Sequence, residues 1–190
     1  MHPIRLIFAT HALLLAACGA EPDTGDAASS ALPLPAVEPV DAATVDGCQL
    51  TGSLYGAIEG AIDWASAQLS CEGMPRPAGA GARLRFAGPH PDGEGTLAVI
   101  VALPGHTRER LAESMDGRVT IIEEGNGRFF AANEEGSCWI DILDIAALDE
   151  HRELTSGRLY CIRPLAEING SSSLTLPELE FSGLIDWSAS

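Results

Sequence analysis

The chain contains no lysine, and its 11 basic residues are all arginine, set against 27 acidic ones. A formal charge of −16 excludes the basic footprint that supplies most of the affinity for nucleic acid. It equally argues against the chain as a whole docking on anionic headgroups. An acidic excess of this kind is first of all a solvated surface, and after that an environment suited to a cationic ligand or Ca²⁺. No apolar run reaches the roughly 20 residues that span a bilayer as a helix. No two cysteines have C-x-x-C spacing, which removes a thioredoxin-type motif and a zinc ribbon. The G-x-S-x-G elbow, the P-loop and H-E-x-x-H are all missing. The sequence therefore offers no catalytic set and no cofactor motif, and the expectation is a protein that is not an enzyme.

What is present begins with Ile4 to Ala17, apolar except for Arg5, Thr10 and His11. A short positive start, an apolar centre and small residues before a cut site describe a secretory signal peptide. Leu15-Ala16-Ala17-Cys18 then sets an apolar residue and two small ones before a cysteine. This resembles the lipobox of bacterial prolipoprotein leaders. The resemblance is confined to the leader. It implies that residues 1–17 are removed and that Cys18 becomes an acylated N-terminus. It also implies, from Gly19 rather than Asp after the cysteine, sorting to the outer membrane, facing the periplasm or the cell surface. An ordinary signal peptide cut near Ala20 is the plainer alternative. Loss of Arg5 with the leader takes the charge from −16 to −17. Residues 18–45 are rich in Ala, Pro, Asp and Glu with no aromatic. Such a segment cannot bury enough apolar surface to offset its ordering entropy, and is expected to be a disordered tether.

Residues 46–190 are expected to form a single domain large enough for its own core. With Cys18 set aside, Cys48, Cys71, Cys138 and Cys161 remain. In an exported domain they read as two disulfides, with three connectivities available. The midpoint of Cys138 and Cys161 falls at the polar Asp149-Glu150. Antiparallel strands over 137–145 and 156–163 would set these cysteines opposite each other, within disulfide reach. That pairing leaves Cys48 with Cys71, whose midpoint falls inside an apparent strand, so this bond is not a hairpin bridge.

The dominant hydrophobic period in the domain is two. Ile58, Gly60, Ile62 and Trp64 alternate with outward Ala57, Glu59, Ala61 and Asp63. A strand is expected over 67–71 and a Pro/Gly loop over 72–81. Ala82, Leu84 and Phe86 alternate with Arg83 and Arg85, and 88–95 is a turn region. The nearly continuous apolar run 96–103 reads as a central strand buried on both faces. Residues 106–116 are the one helix candidate, with Thr107 as cap and Gly117 as stop. Val119 and Ile121 begin a strand that turns at Gly125-Asn126-Gly127 and returns through Phe129. Leu174 and Leu176 start a short strand that Pro177 ends. In the last strand Leu179, Phe181, Gly183, Ile185 and Trp187 share one face. Gly-x-Ile-Asp-Trp occurs at 60–64 and again at 183–187, so two strands in equivalent settings, adjacent at the closure of a sandwich, are one expectation, and chance is its competitor. The fold class is all-β, an antiparallel sandwich or jelly roll with at most one short helix, stapled by two disulfides; a partly closed barrel is the alternative.

Candidate chemistry is sparse. His90, His106 and His151 fall in turns and polar stretches and are expected to face solvent. Asp92-Gly93-Glu94 and Asn133-Glu134-Glu135 place oxygen ligands in turns, but neither has EF-hand spacing. They read as solvated turns, and Ca²⁺ has no further support. Asp63, Asp186, Glu59 and Glu180 would line outward faces, making an acidic stripe if the repeats lie side by side. Trp64 and Trp187 take core parity. Trp139 has the opposite parity to Cys138 and Ile140, which makes it the best single candidate for a ligand contact. Two functions follow. One is a lipid-anchored envelope protein, held at the membrane through the lipid on Cys18, whose non-catalytic domain meets another envelope protein. The other is a carbohydrate-binding or weakly hydrolytic module for cell-wall or surface glycan.

Overall fold

The computed structural model describes residues 47–108, 114–132 and 134–189. The leader, Cys18 and the tether expected over 18–45 lie outside them. The strands are β1 (Gln49–Gly56), β2 (Gly60–Ala65), β3 (Ser70–Pro75), β4 (Ala82–Pro89), β5 (Thr96–Leu103) and β6 (Ser114–Glu124). They continue with β7 (Arg128–Ala131), β8 (Cys138–Ala147), β9 (Arg152–Cys161), β10 (Leu165–Glu167), β11 (Ser173–Thr175) and β12 (Glu178–Asp186). All pairings are antiparallel. The expected all-β, doubly disulfide-bonded sandwich is what forms.

Two strands pass from one sheet to the other. The start of β6 pairs with β8, and the rest lies between β5 and β7. Along one edge of β1, Gln49–Gly52 pair with β12 and Tyr55-Gly56 with β11. The first sheet is therefore β2-β1-β12-β9-β8 and the start of β6; the second is β3-β4-β5-β6-β7-β10-β11. Pairings run β6–β7–β10–β11–β1–β12–β9–β8 and back to β6, so the sandwich is closed by shared strands rather than by loops.

The alternation in β2 and β4 comes out as expected, with Ile62, Trp64, Leu84 and Phe86 buried and Ala61, Asp63 and Arg83 exposed. β5 is central, between β4 and β6, and Leu97, Ala98 and Val99 are buried in succession. The cysteine hairpin also forms. Cys138 opposes Cys161 with Cα atoms 4.0 Å apart and the two are disulfide-bonded. Cys48, at the entry to β1, is bonded to Cys71 on β3 with Cα atoms 6.3 Å apart, joining the first sheet to the second. Each bond closes a loop with a sequence separation of 23, worth roughly 3 kcal/mol in the chain-entropy view.

Three expectations need correction. The strand expected over 67–71 lies at Ser70–Pro75, so much of the expected Pro/Gly loop is strand. Pro75 is tolerated because β3 ends the strand order and needs no donor on its far side. The helix candidate over 106–116 fails at its described ends: His106 closes a turn and Ser114–Asp116 already belong to β6. Residues 109–113 lie outside the described set. The two Gly-x-Ile-Asp-Trp segments are not neighbours. β1 separates β2 from β12, and Gly183–Asp186 pair with β9 instead.

Glycine sets how closely the layers approach. A Cβ on Gly183 would meet Leu84 Cδ2 at 2.8 Å and Phe86 Cζ at 2.9 Å, so β12 seats on β4 only because position 183 has no side chain. Phe86 and Phe181 then meet with ring centroids 6.3 Å apart at 53°. On β9, a Cβ at Gly157 would meet the Asp141 carbonyl oxygen and Phe181 Cζ, both at 2.7 Å. A backbone atom cannot swing away as a side chain can. Gly157→Ala is therefore expected to destabilise the domain by about 1–3 kcal/mol, read as a lower urea midpoint with an unchanged slope. A midpoint at or above that of the unaltered protein refutes this packing.

Candidate functional site

Trp139 projects from β8 on the outer face of the first sheet and is 39% exposed. Its cross-strand neighbours are Asp116 on β6 and Tyr160 on β9, and Tyr160 in turn opposes Glu178 on β12. Directly opposed side chains on one face lie about 4.5–5.5 Å apart at Cβ. The two aromatics therefore form a pair with a carboxylate at either end. The next row on the same face runs Asp141, Arg158, Glu180, Thr51, Asp63. Arg158 bridges Glu178 at 3.5 Å and Glu180 at 3.3 Å. Asp116 accepts the Gly136 amide at 2.9 Å, which fixes its side chain. The outward parity expected for Trp139 is thus correct, and the structure supplies the partner the sequence did not, Tyr160.

The acidic stripe forms only in part. Asp63 and Glu180 flank Thr51 on this face. Asp186 lies elsewhere, opposite Arg152, and its carboxylate accepts the Ser188 hydroxyl and amide, which hold its pKa below the ordinary carboxylate value. The turn carboxylates are also engaged internally. Asp92 accepts the Glu94 amide at 2.8 Å and bonds His90 Nδ1 at 2.6 Å, and its pKa is lowered, first by that amide. Glu134 pairs with Arg163, and Asn133 lies outside the described residues. Among the described residues no group of three or more His, Cys, Asp or Glu is placed to hold a metal ion.

The histidine expectation is wrong for two residues of three. His151 is exposed, but His90 is buried and His106 has no solvent exposure at all. The turn Leu103-Pro104-Gly105-His106, with Gly105 at φ +82°, closes through the His106 amide on the Leu103 carbonyl. Proline then glycine at its centre is a turn signature, and it folds His106 back between the sheets. There His106 Nε2 meets Glu153 Oε1 at 2.9 Å. The same oxygen accepts the Thr155 hydroxyl at 3.2 Å. Trp187 lies with its ring 6.0 Å from that of His106. Burial opposes ionisation of Glu153. The His106 hydrogen bond, the nearby Trp187 indole N–H, the charge of His106 and the Thr155 hydroxyl outweigh it, so its pKa falls below the ordinary 4.5. Neither the Trp187 indole N–H nor His106 Nδ1 has a hydrogen-bond partner among the described residues. The other Trp of the repeat differs: Trp64 donates to the Pro89 carbonyl at 3.1 Å and lies flat over Gly88.

A second polar group lies on the second sheet. Arg128 bonds Glu167 at 2.8 Å, Glu123 at 3.2 Å and Ser172 at 2.8 Å. The Arg128 and Ser172 contacts hold the Glu167 carboxyl at about 2. This network has little left to offer a ligand.

Comparison with protein-family models, with curated proteins and with solved structures finds no match to this chain.

Because Glu153 has a folded pKa below its unfolded one, its stabilising effect is present above the unfolded value and is lost as pH falls through the folded value. Glu153→Gln is expected to cost about 1–3 kcal/mol at pH 7. The gap to the unaltered protein should narrow as pH drops below 4.5. Urea unfolding at pH 7 and at acid pH checks both, and a gap that stays constant with pH rules out an ionised Glu153 in the core.

Proposed function

We propose that this chain is a lipid-anchored protein of the bacterial outer membrane whose β-sandwich is a non-catalytic binding module for another envelope component. The observation that carries this is the pairing of cysteines. Cys48 bonds Cys71 and Cys138 bonds Cys161, which suits an oxidising compartment. All the cysteines of the domain are then used. Cys18, at the end of the lipobox-like Leu15-Ala16-Ala17-Cys18, is the one left over. An acylated Cys18 with two or more chains anchors stably, where one chain alone holds marginally. The non-catalytic part of the proposal is supported by the buried acid–base pair, His106–Glu153, being directed into the core with the Thr155 hydroxyl already committed to it.

Labelling with radioactive palmitate, followed by membrane fractionation, tests the anchor. The unaltered chain should incorporate label and sediment with outer membrane. Cys18→Ala should lose both label and membrane association while keeping its two disulfides. A Cys18→Ala protein that stays in the membrane fraction sinks the proposal.

The exposed Trp139 beside Tyr160 favours one specific second reading, a glycan-binding face. Aromatic rings stack on the apolar faces of sugars, and the flanking Asp116, Asp141 and Glu178 would accept from hydroxyl groups. Peptidoglycan pull-down and a glycan array should then show binding that Trp139→Ala weakens about tenfold or more, within the range of a contact-centre residue. Binding unaffected by Trp139→Ala, or no glycan bound at all, removes this reading and leaves the first intact.

A further inference from the structure

We propose that a groove at the free end of the second sheet binds an anionic single-chain amphiphile: a fatty-acid carboxylate held by Arg76 and Arg83, its tail along Met74, Pro75, Pro77, Ala78 and Ala189. This site is separate from the Trp139 face and does not depend on the anchor.

Charge is the first ground. Acids outnumber arginines 27 to 11 in this chain, so where arginines are left without a carboxylate their placement is informative. Arg85, Arg128, Arg152, Arg158 and Arg163 all make ion pairs. Among the described residues Arg76, Arg83, Arg108 and Arg118 make none. They are not scattered. Arg83 on β4 and Arg118 on β6 both oppose Ala102 of β5, so they flank it on one outer face, and both are exposed. Arg76 follows β3, the neighbour of β4, and Arg108 follows β5. Arg83 Nη2 donates to Met74 Sδ and Arg76 Nη1 to the Ala80 carbonyl, both at 3.1 Å. Those bonds position the guanidiniums and leave most of their five donors unused.

Shape is the second ground. Arg76 and Arg83 line a groove of about 610 Å³ whose other walls are Met74, Pro75, Pro77, Ala78 and Ala189. That volume lies within the usual range for one small-molecule ligand, about 300–1,000 Å³. Ala78, on its wall, holds a left-handed backbone at φ 58°. A residue with a Cβ pays for that conformation, and such positions cluster at ligand clamps.

The overall charge decides among anionic occupants. A polyanion such as an acidic peptide, or an anionic bilayer, must extend beyond the four arginines into the field of a chain carrying −16. A monoanion with an apolar tail meets only the local patch. It also fills walls that a bare anion would leave wet.

Full-length protein carrying Cys18→Ala, which has no acyl chains of its own at that position, is titrated calorimetrically with laurate below its micelle concentration. Dodecanol and dodecyltrimethylammonium serve as neutral and cationic counterparts. Laurate is expected to saturate one site, with decanoate weaker by about two- to fourfold per methylene removed. Arg76→Gln with Arg83→Gln should weaken laurate about tenfold or more. Arg118→Gln, outside the groove, should change it less than twofold. Unaltered circular dichroism and disulfide content confirm that the variants fold. The proposal is overturned if dodecanol or the cation binds as tightly as laurate, or if Arg118→Gln matches the double variant. Binding only to anionic vesicles or to poly-glutamate overturns it equally, in favour of a membrane or an acidic protein.

Discussion

The seating of β12 on β4 is the constraint on which the other features rest. Gly183 carries no side chain, so Leu84 and Phe86 reach the β12 backbone and Phe181 closes on Phe86. β12 is also the strand that pairs with β1 on one side and β9 on the other. Holding it in place therefore fixes the cysteine hairpin, the outer face that carries Trp139 and the position of Trp187 against His106. A sandwich whose sheets share strands has little freedom to slide one layer over the other. A one-residue slip in β12 would turn Phe181 and Ile185 to solvent and bring Glu180 into the core.

Much of this fold is legible in the residues. β2, β4, β5 and β12 announce themselves because burial on one face, or on two, writes a regular apolar period. The hairpin of β8 and β9 is legible because two cysteines at equal distance from a polar turn fix a register. β1 is not. Its buried residues Leu50 and Leu54 stand four apart with Gly52 between them, so the period of two is blurred where close packing replaces a side chain with hydrogen. β3 is misplaced because Gly73 and Pro75 read as loop residues, although an edge strand accepts both.

The candidate sites divide in the same way. Outward parity marks Trp139 correctly, since one strand suffices to set it. Tyr160 and Asp116 come from other strands, and only register brings them alongside. His106 departs furthest from expectation, being buried where a solvent-facing residue is expected. A histidine just past Pro104-Gly105 looks like a surface turn residue until it is known that the turn folds inward and that Glu153 waits on β9. Charge had a similar limit. Composition gives the excess of acid but not its distribution: among the described residues Arg83 and Arg118, which make no ion pair, share an outer face of the second sheet, while Asp116, Asp141 and Glu178 surround the aromatic pair on the first.

The bond from Cys48 to Cys71 has a mechanical meaning. Cys48, immediately before β1, is covalently joined to β3 in the opposite sheet. Any load arriving along the preceding segment passes through sulfur into β3 and β4. Without that bond the same pull would peel β1 from β12 one hydrogen-bonded pair at a time, the weakest direction in which to strain a sheet. An oxidised domain should thus bear tension applied at Cys48 as a single unit, and a reduced one should unzip from its first strand.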